Sequence, residues 1–138
     1  MIKKIDHIGI AVADLEAAMK TYEQLTGKGS AHKETVVEQQ VITAFVAVGE
    51  VRLELLKGIS PNSIISRFVE KRGEGVHHIC FEVEDLEKTR VALTAAGMQF
   101  VENVSSRGAG GSKVAFIHPK STSGVLVELV EYPQAPQT

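Results

Sequence analysis

Cysteine is almost missing from this chain: among 138 residues only Cys80 carries a thiol. One thiol cannot form an internal disulfide, and it excludes metal sites built from several thiolates. An excess of charge of one sign is missing too. The chain has 15 Lys and Arg against 17 Asp and Glu, a formal net charge of −2, and a pI near 6.2. That balance leaves no electrostatic footprint for nucleic acid or for an anionic membrane. No apolar run approaches the ~18 residues of a membrane span. The opening MIKKIDHIGIAV runs from basic to apolar, but Asp6 and His7 interrupt it and no cleavage motif follows, so no leader is expected. A cytoplasmic protein with neither nucleic-acid nor membrane partners is the resulting expectation. Proline and glycine are unremarkable, and 43% of the residues are hydrophobic, enough to bury one core in one domain.

What the chain does contain is an internal repeat. IDHIGIAVADLE (Ile5 to Glu16) aligns without gaps on VHHICFEVEDLE (Val76 to Glu87), an offset of 71 residues. His7 falls on His78, Asp14 on Asp85, and Ala44-Phe45 on Ala115-Phe116. After a three-residue insertion VRLELL (Val51 to Leu56) matches VLVELV (Val125 to Val130), which places Glu54 on Glu128. Solenoid repeats run roughly 20–50 residues. These longer units are therefore half-domains, each burying its apolar face against its twin.

Periodicity gives each half the order β-α-β-β-β. Alternation over Ile5 to Ala13 predicts a strand with His7, Gly9 and Ala11 on one side and Asp6, Ile8 and Ile10 on the other. Asp14 can N-cap a helix whose apolar positions Leu15, Ala18, Met19 and Tyr22 follow helical spacing, with Gly27 as its C-cap. Strands are expected near His32–Glu38, Val41–Val48 and Val51–Leu56. The second half repeats them at Val76–Val83, Gln99–Val104, Lys113–His118 and Gly124–Glu131, with a helix over Leu86–Ala96. The expected architecture is α+β: two tandem βαβββ modules, residues 1–57 and 76–131, forming a curled, partly closed, eight-stranded mixed sheet. Residues 58–75 form a linker with a short helix near Ser63–Lys71, and residues 132–138 a frayed tail.

Two His and two Glu recur as symmetry mates, and this points to a site. With each sheet curled and its helix on the convex side, His7, Glu54, His78 and Glu128 can converge near the pseudo-twofold axis. A glutamate within an apolar strand needs a partner, because an unpaired buried carboxylate is costly. For Glu54 the ordinary partner would be Arg52. Two imidazoles and two carboxylates suit a borderline divalent ion such as Co, Ni, Mn, Fe or Zn. His77 reads as an ordinary strand-start histidine. Gly108 to Gly111 lies between strands and lacks the context of a dinucleotide fingerprint, so it reads as a hairpin loop packing over a ligand. Lys113, Lys120 and Arg107 near it are candidates for an anionic group.

These units resemble the vicinal oxygen chelate superfamily and, more narrowly, the methylmalonyl-CoA epimerase family. The segments that carry the resemblance are IDHIGIAV, VRLELL, FVEKRGEGVHHICFEVEDLE and GAGGSKVAFIHPKSTSGVLVELVEYP. The resemblance implies epimerisation of methylmalonyl-CoA at C2, a site in propionate metabolism, a homodimer, and one metal ion, cobalt favoured, held by His7, Glu54, His78 and Glu128. It implies Glu128 as one acid/base, with Glu54 supplying the second carboxylate. Some members carry a glutamate in the strand after an EQG motif; here that motif reads Glu38-Gln39-Gln40 and the strand position is Thr43, which cannot serve. Substrate contacts are expected at Gln39, Lys113, Lys120 and Ser121. Glyoxalase I, with a similar metal set and proton transfer, is the alternative enzyme, and a binding protein of the same fold the alternative class.

Overall fold

The alternating N-terminal segment forms β1, Ile2–Ala11, and the chain then enters α1, Leu15–Thr26, capped as its residues dictate. The Asp14 carboxylate accepts from the Ala17 N–H at 3.0 Å, and Gly27 ends the helix at φ 69°, a conformation that suits glycine. The remaining strands are β2 (Glu34–Val36), β3 (Val41–Val48), β4 (Val51–Gly58), β5 (Gly75–Val83), β6 (Lys113–Ile117) and β7 (Val127–Glu131). Two further helices are α2 (Ile64–Arg72), capped by Ser63, and α3 (Leu86–Ala95), capped by Asp85. Each such cap contributes about 1 kcal/mol. This computed structural model describes residues 1–29 and 32–134.

All seven strands join one mixed sheet in the order β2-β3-β4-β1-β5-β7-β6. β1 runs parallel to β4 and antiparallel to β5, and β5 runs parallel to β7. Residues two apart on a strand share a face, which separates the sheet into a core side and a site side. On the core side Ile8, Ile10, Leu53 and Leu55 pack under Leu15, Ala18, Met19 and Tyr22 of α1. Phe81, Val83 and Leu129 do the same with Leu86 and Leu93 of α3. The site side carries His7, Gly9 and Glu54. One end of it is closed by α2, whose Ile65 packs on Ala11, Val36, Val41 and Leu56. The opposite edges of the sheet are drawn together over the site side: Gln39 Nε2 donates to the Arg107 carbonyl at 2.9 Å, and the Gly110 N–H donates to Glu34 at 3.0 Å. The result is a half-barrel.

The expected eight strands are seven among the described residues. Gln99–Val104 does not form a strand. Phe100 makes an isolated bridge to Ile117, and the Val101 N–H bonds to the Phe116 carbonyl at 2.8 Å, but Asn103 at φ 61° turns the chain away. β2 is shorter than expected because Val37–Gln39 form a 3-10 turn ended by Gln40 at φ 54°. β7 starts at Val127, since Ser123 and Gly124, at φ 58° and 89°, still belong to the preceding turn. Tyr132, expected in a frayed tail, is half-buried and bonded to Asp6, and residues 135–138 lie outside those described.

Candidate metal centre and its cavity

Four adjacent strands at the middle of the sheet each bring one donor to the same spot: Glu54 from β4, His7 from β1, His78 from β5 and Glu128 from β7. The register explains how. Glu54, Gly9 and His78 lie in one cross-strand row, and Arg52, His7, Cys80 and Glu128 lie in the next. Gly9 has no side chain, so the His78 ring occupies the space above it. An alanine methyl at Gly9 would stand 2.2 Å from His78 Cε1. Phe45 and Phe116 pair with Glu54 and Glu128 in the register, and their rings meet those of His7 and His78 edge-on.

All four donors are buried, with exposures of 4–6%. His7 Nε2 lies 3.1 Å from Glu54 and 3.2 Å from Glu128; His78 Nε2 lies 3.4 Å and 3.0 Å from the same two carboxylates. The two Nε2 atoms are 3.1 Å apart. Arg52, the ordinary partner expected for Glu54, points elsewhere: it donates to Asp6 at 2.8 Å and to the Tyr132 hydroxyl.

The histidines are oriented from behind. His7 Nδ1 donates to Asp6 Oδ2 at 2.6 Å, and the Tyr132 hydroxyl donates to the same oxygen at 2.7 Å. Neighbouring residues of a regular strand face opposite sides, so Asp6 was expected away from His7. A register shift between Ile5 and His7 breaks the alternation at Asp6, and its carboxylate turns under the imidazole. His78 Nδ1 lies 2.8 Å from Nδ1 of His77. Burial and the neighbouring His78 push His77 down to about 4, so it is neutral and accepts the His78 N–H. Both donor histidines therefore turn Nε2 toward the centre. Sequence reasoning assigned none of Asp6, Tyr132 or His77 a part here, and it set Arg52 against Glu54 rather than Asp6. The Asp at position 6, beside a repeated His, was the one available sign.

Charge balance inside the cluster is set by protons when no metal is bound. Burial alone would lower the pKa of His7, but its bonds to Asp6, Cys80, Glu128 and Glu54 raise it far above the usual histidine range. His78 is likewise disfavoured by burial yet held up at about 9 by Glu128 and Glu54. Burial raises Glu54 and Glu128, and the two imidazolium rings more than offset this, so both remain ionised. Cys80 lies beside His7 and Asp6, within 4.8 Å of their donor atoms, but burial pushes its thiol up to about 12 and keeps it protonated.

Three of these side chains, His7, Glu54 and His78, offer ligand atoms all within 4.8 Å of one another, a set that fits a divalent ion. Glu128 lies 3.2 Å and 3.0 Å from the two Nε2 atoms. Bonds of about 2.1 Å place neighbouring ligand atoms roughly 3.0 Å apart in octahedral and 3.4 Å apart in tetrahedral coordination. The five nitrogen and oxygen separations given above, 3.0–3.4 Å, span that range. Two neutral imidazoles with two carboxylates would neutralise a dication and release the protons that otherwise balance the site.

A cavity of about 550 Å³ opens above the cluster, lined by all four donors, Phe45, Phe116 and Tyr132. Gln39 lines it as well. Lys113, Lys120 and Ser121 line no part of it: Lys113 and Lys120 are exposed, and the Ser121 hydroxyl accepts from the Gln99 N–H. Thr43 lies on the site side between Val41 and Phe45, fully buried, and its hydroxyl has no hydrogen-bond partner among the described residues. No carboxylate stands at that position.

Comparison with known proteins gives a consistent picture. Residues 6–116 match the Glyoxalase/Bleomycin resistance protein/Dioxygenase superfamily. The chain is similar to an ethylmalonyl-CoA/methylmalonyl-CoA epimerase of Cereibacter sphaeroides, 37% identical over 94% of this chain and 98% of that one. Its fold is similar to the crystal structure of a methylmalonyl-CoA epimerase from Mycobacterium tuberculosis, with a TM-score of 0.90, 35% identity, and 96% of this chain and 90% of that chain covered. A Streptomyces coelicolor methylmalonyl-CoA epimerase in complex with 2-nitronate-propionyl-CoA matches with a TM-score of 0.90, 34% identity, and 97% and 100% covered. A probable lactoylglutathione lyase of Vibrio cholerae is more distant, 24% identical over 96% of this chain and 93% of that one.

Proposed function

We propose a reaction for this chain from one premise: it belongs to the Glyoxalase/Bleomycin resistance protein/Dioxygenase superfamily and, within it, to the methylmalonyl-CoA epimerases. It interconverts the (2R) and (2S) forms of methylmalonyl-CoA by taking the proton from C2 and returning it to either face. The observation that carries this reading is the buried His7, Glu54, His78, Glu128 cluster at the floor of a cavity. The C2 proton of a thioester is weakly acidic, and its removal places negative charge on the carbonyl oxygen. A bound divalent ion would supply Lewis acidity to that oxygen. The chain's own residues do the rest. His7 and His78 would hold the ion, while Asp6 and His77 fix the two rings. Phe45 and Phe116 keep the walls apolar and water away from the planar enolate.

Inversion needs a proton carrier on each face. Glu128 takes this role on one face and Glu54 on the other, both being residues that would also hold the ion. Thr43 cannot act as the second base, since a hydroxyl buried without a partner has no means of holding the proton. Cobalt(II) is the favoured ion, with manganese, nickel, zinc and iron compatible with the donors. The enzyme works in the cytoplasm as a homodimer within propionate metabolism. Residues 1–57 and 76–131 are the two copies of its duplicated module. A lactoylglutathione lyase is the weaker reading, given the 24% identity to such proteins.

Proton NMR in deuterated water tests the proposal. Cobalt-loaded protein should exchange the C2 proton of methylmalonyl-CoA and interconvert its epimers, and excess EDTA should abolish both. Turnover of the methylglyoxal–glutathione adduct in place of exchange would overturn the epimerase reading.

A further inference from the structure

The two ligand histidines are symmetry mates, but the groups behind them differ. The offset of 71 that aligns His7 with His78 also aligns Asp6 with His77. Each of these residues precedes a ligand and meets its Nδ1: Asp6 Oδ2 lies 2.6 Å from that of His7, and His77 Nδ1 lies 2.8 Å from that of His78. A ring that accepts through a bare nitrogen carries no charge, whereas the carboxylate carries one. A second difference matches the first. VRLELL on VLVELV sets Arg52 against Leu126. The half with a carboxylate behind its histidine has a guanidinium, and the half with a neutral ring has leucine. Leu126 and His77 line the cavity together.

Arg52 is bonded to Asp6 and to no other carboxylate among the described residues. One guanidinium nitrogen donates to Asp6 Oδ2 at 2.8 Å. The Tyr132 hydroxyl donates to the same oxygen at 2.7 Å, so with His7 that atom accepts from three donors. The guanidinium is held from another side as well. Its carbon lies 4.1 Å from the centre of the Phe45 ring, and that ring meets His7 edge-on. The Arg52 side chain is 34% exposed and Asp6 only 3%. Water and salt screen such a pair little, so both charges act on His7 together.

We propose that Arg52 is a positioning residue that offsets the charge of Asp6, so that each half of the duplicated site presents a metal ion with a histidine backed by no net charge. An unopposed carboxylate would make His7 the stronger donor of the two. A divalent ion would then be held more tightly and would be a poorer Lewis acid for the enolate oxygen. Arg52 thereby trades some metal affinity for acidity. The acidity half of that trade rests on the reaction proposed above; the affinity half does not.

The test measures cobalt affinity of the full chain, by competition against a chromophoric chelator, in wild type, R52L, R52K, D6N and D6N/R52L. In R52L the Tyr132 hydroxyl still holds Asp6, and the unopposed carboxylate should tighten cobalt binding. The gain should be about five- to tenfold, below the 10–100-fold effect of losing an outer partner because Arg52 is partly exposed. R52K keeps the charge and should bind as wild type does. D6N should bind more weakly, and D6N/R52L should recover part of that loss, since removing both charges restores the balance of the other half. A guanidinium that only made the burial of Asp6 tolerable predicts otherwise: R52L would loosen His7, and D6N/R52L would gain nothing over D6N. Equal or weaker cobalt binding by R52L would therefore overturn the proposal. If R52L does not fold, D6N/R52L, which buries no unpaired charge, decides in its place, and binding no tighter than D6N overturns it. At saturating cobalt, R52L should exchange the C2 proton of methylmalonyl-CoA several-fold more slowly than wild type, and unchanged exchange would overturn the trade. The predicted affinities in proteins that exchange no C2 proton, wild type included, would sink the reaction and leave the charge balance standing.

Discussion

Substituting Gly9 by alanine should disable the metal centre through a single methyl group. That methyl would stand 2.2 Å from Cε1, 2.5 Å from Nδ1 and 2.6 Å from Nε2 of His78. Carbon atoms pack at about 3.5 Å, so the imidazole must retreat by roughly 1 Å or more. Metal–ligand distances tolerate about 0.2 Å. Little room exists for the ring to move and keep its aim, because its Nδ1 is held by His77 at 2.8 Å and its edge meets Phe116. Gly9 is not among the positive-φ positions, so alanine is acceptable to the backbone and the effect falls on His78. Perturbing an outer partner of a ligand costs about 10–100-fold in metal affinity. Dislodging the ligand itself should therefore cost at least ~100-fold, while the overpacking destabilises the fold by only about 1–3 kcal/mol. Competition against a chromophoric chelator measures the affinity, and thermal melting monitored by circular dichroism checks the fold. A folded Gly9→Ala protein that binds cobalt as tightly as wild type would refute the reasoning.

Three further outcomes are expected. Asp6→Asn removes the charge that fixes His7 and should weaken metal binding about 10–100-fold by calorimetry, with Arg52 left facing a neutral amide. Glu54→Gln should keep the metal yet slow C2 exchange by orders of magnitude; unchanged turnover would remove Glu54 from the mechanism. Protons and metal compete for the cluster. The carboxylates raise the pKa of both imidazoles in the metal-free protein, so metal binding should release protons, seen as a buffer-dependent enthalpy. The same linkage makes metal-free stability depend on pH. The raised His78 pKa contributes stability fully below 6.5, its ordinary value, and loses it as pH rises through about 9. Melting temperature in EDTA should fall between pH 7 and pH 10, and bound metal should remove that dependence.

The four donors were legible in the sequence because duplication wrote them twice. His7 and Glu54 would each look ordinary alone; as mates of His78 and Glu128 they mark one position in two copies. The alternating strands and Asp-capped helices followed from local rules and were found within a few residues. What escaped was non-local or irregular. Asp6 reaches His7 only because β1 shifts register there, and strict alternation put it on the other face. Tyr132 bonds Asp6 across 126 positions, and no pattern near the chain's end announces that contact. The strand expected at Gln99–Val104 failed because one left-handed residue, Asn103, outweighed an apolar pattern. Lys113 and Lys120 were singled out for their nearness to a glycine-rich loop, but cavity position is set by sheet curvature, which sequence spacing does not encode.

Anomalous scattering from a crystal of the cobalt-loaded protein, collected at the cobalt edge, tests the central claim most directly. The account predicts one peak bonded at about 2.0–2.2 Å to Nε2 of His7, Nε2 of His78, and one oxygen each of Glu54 and Glu128. A peak elsewhere, or no peak among these four side chains, would contradict it.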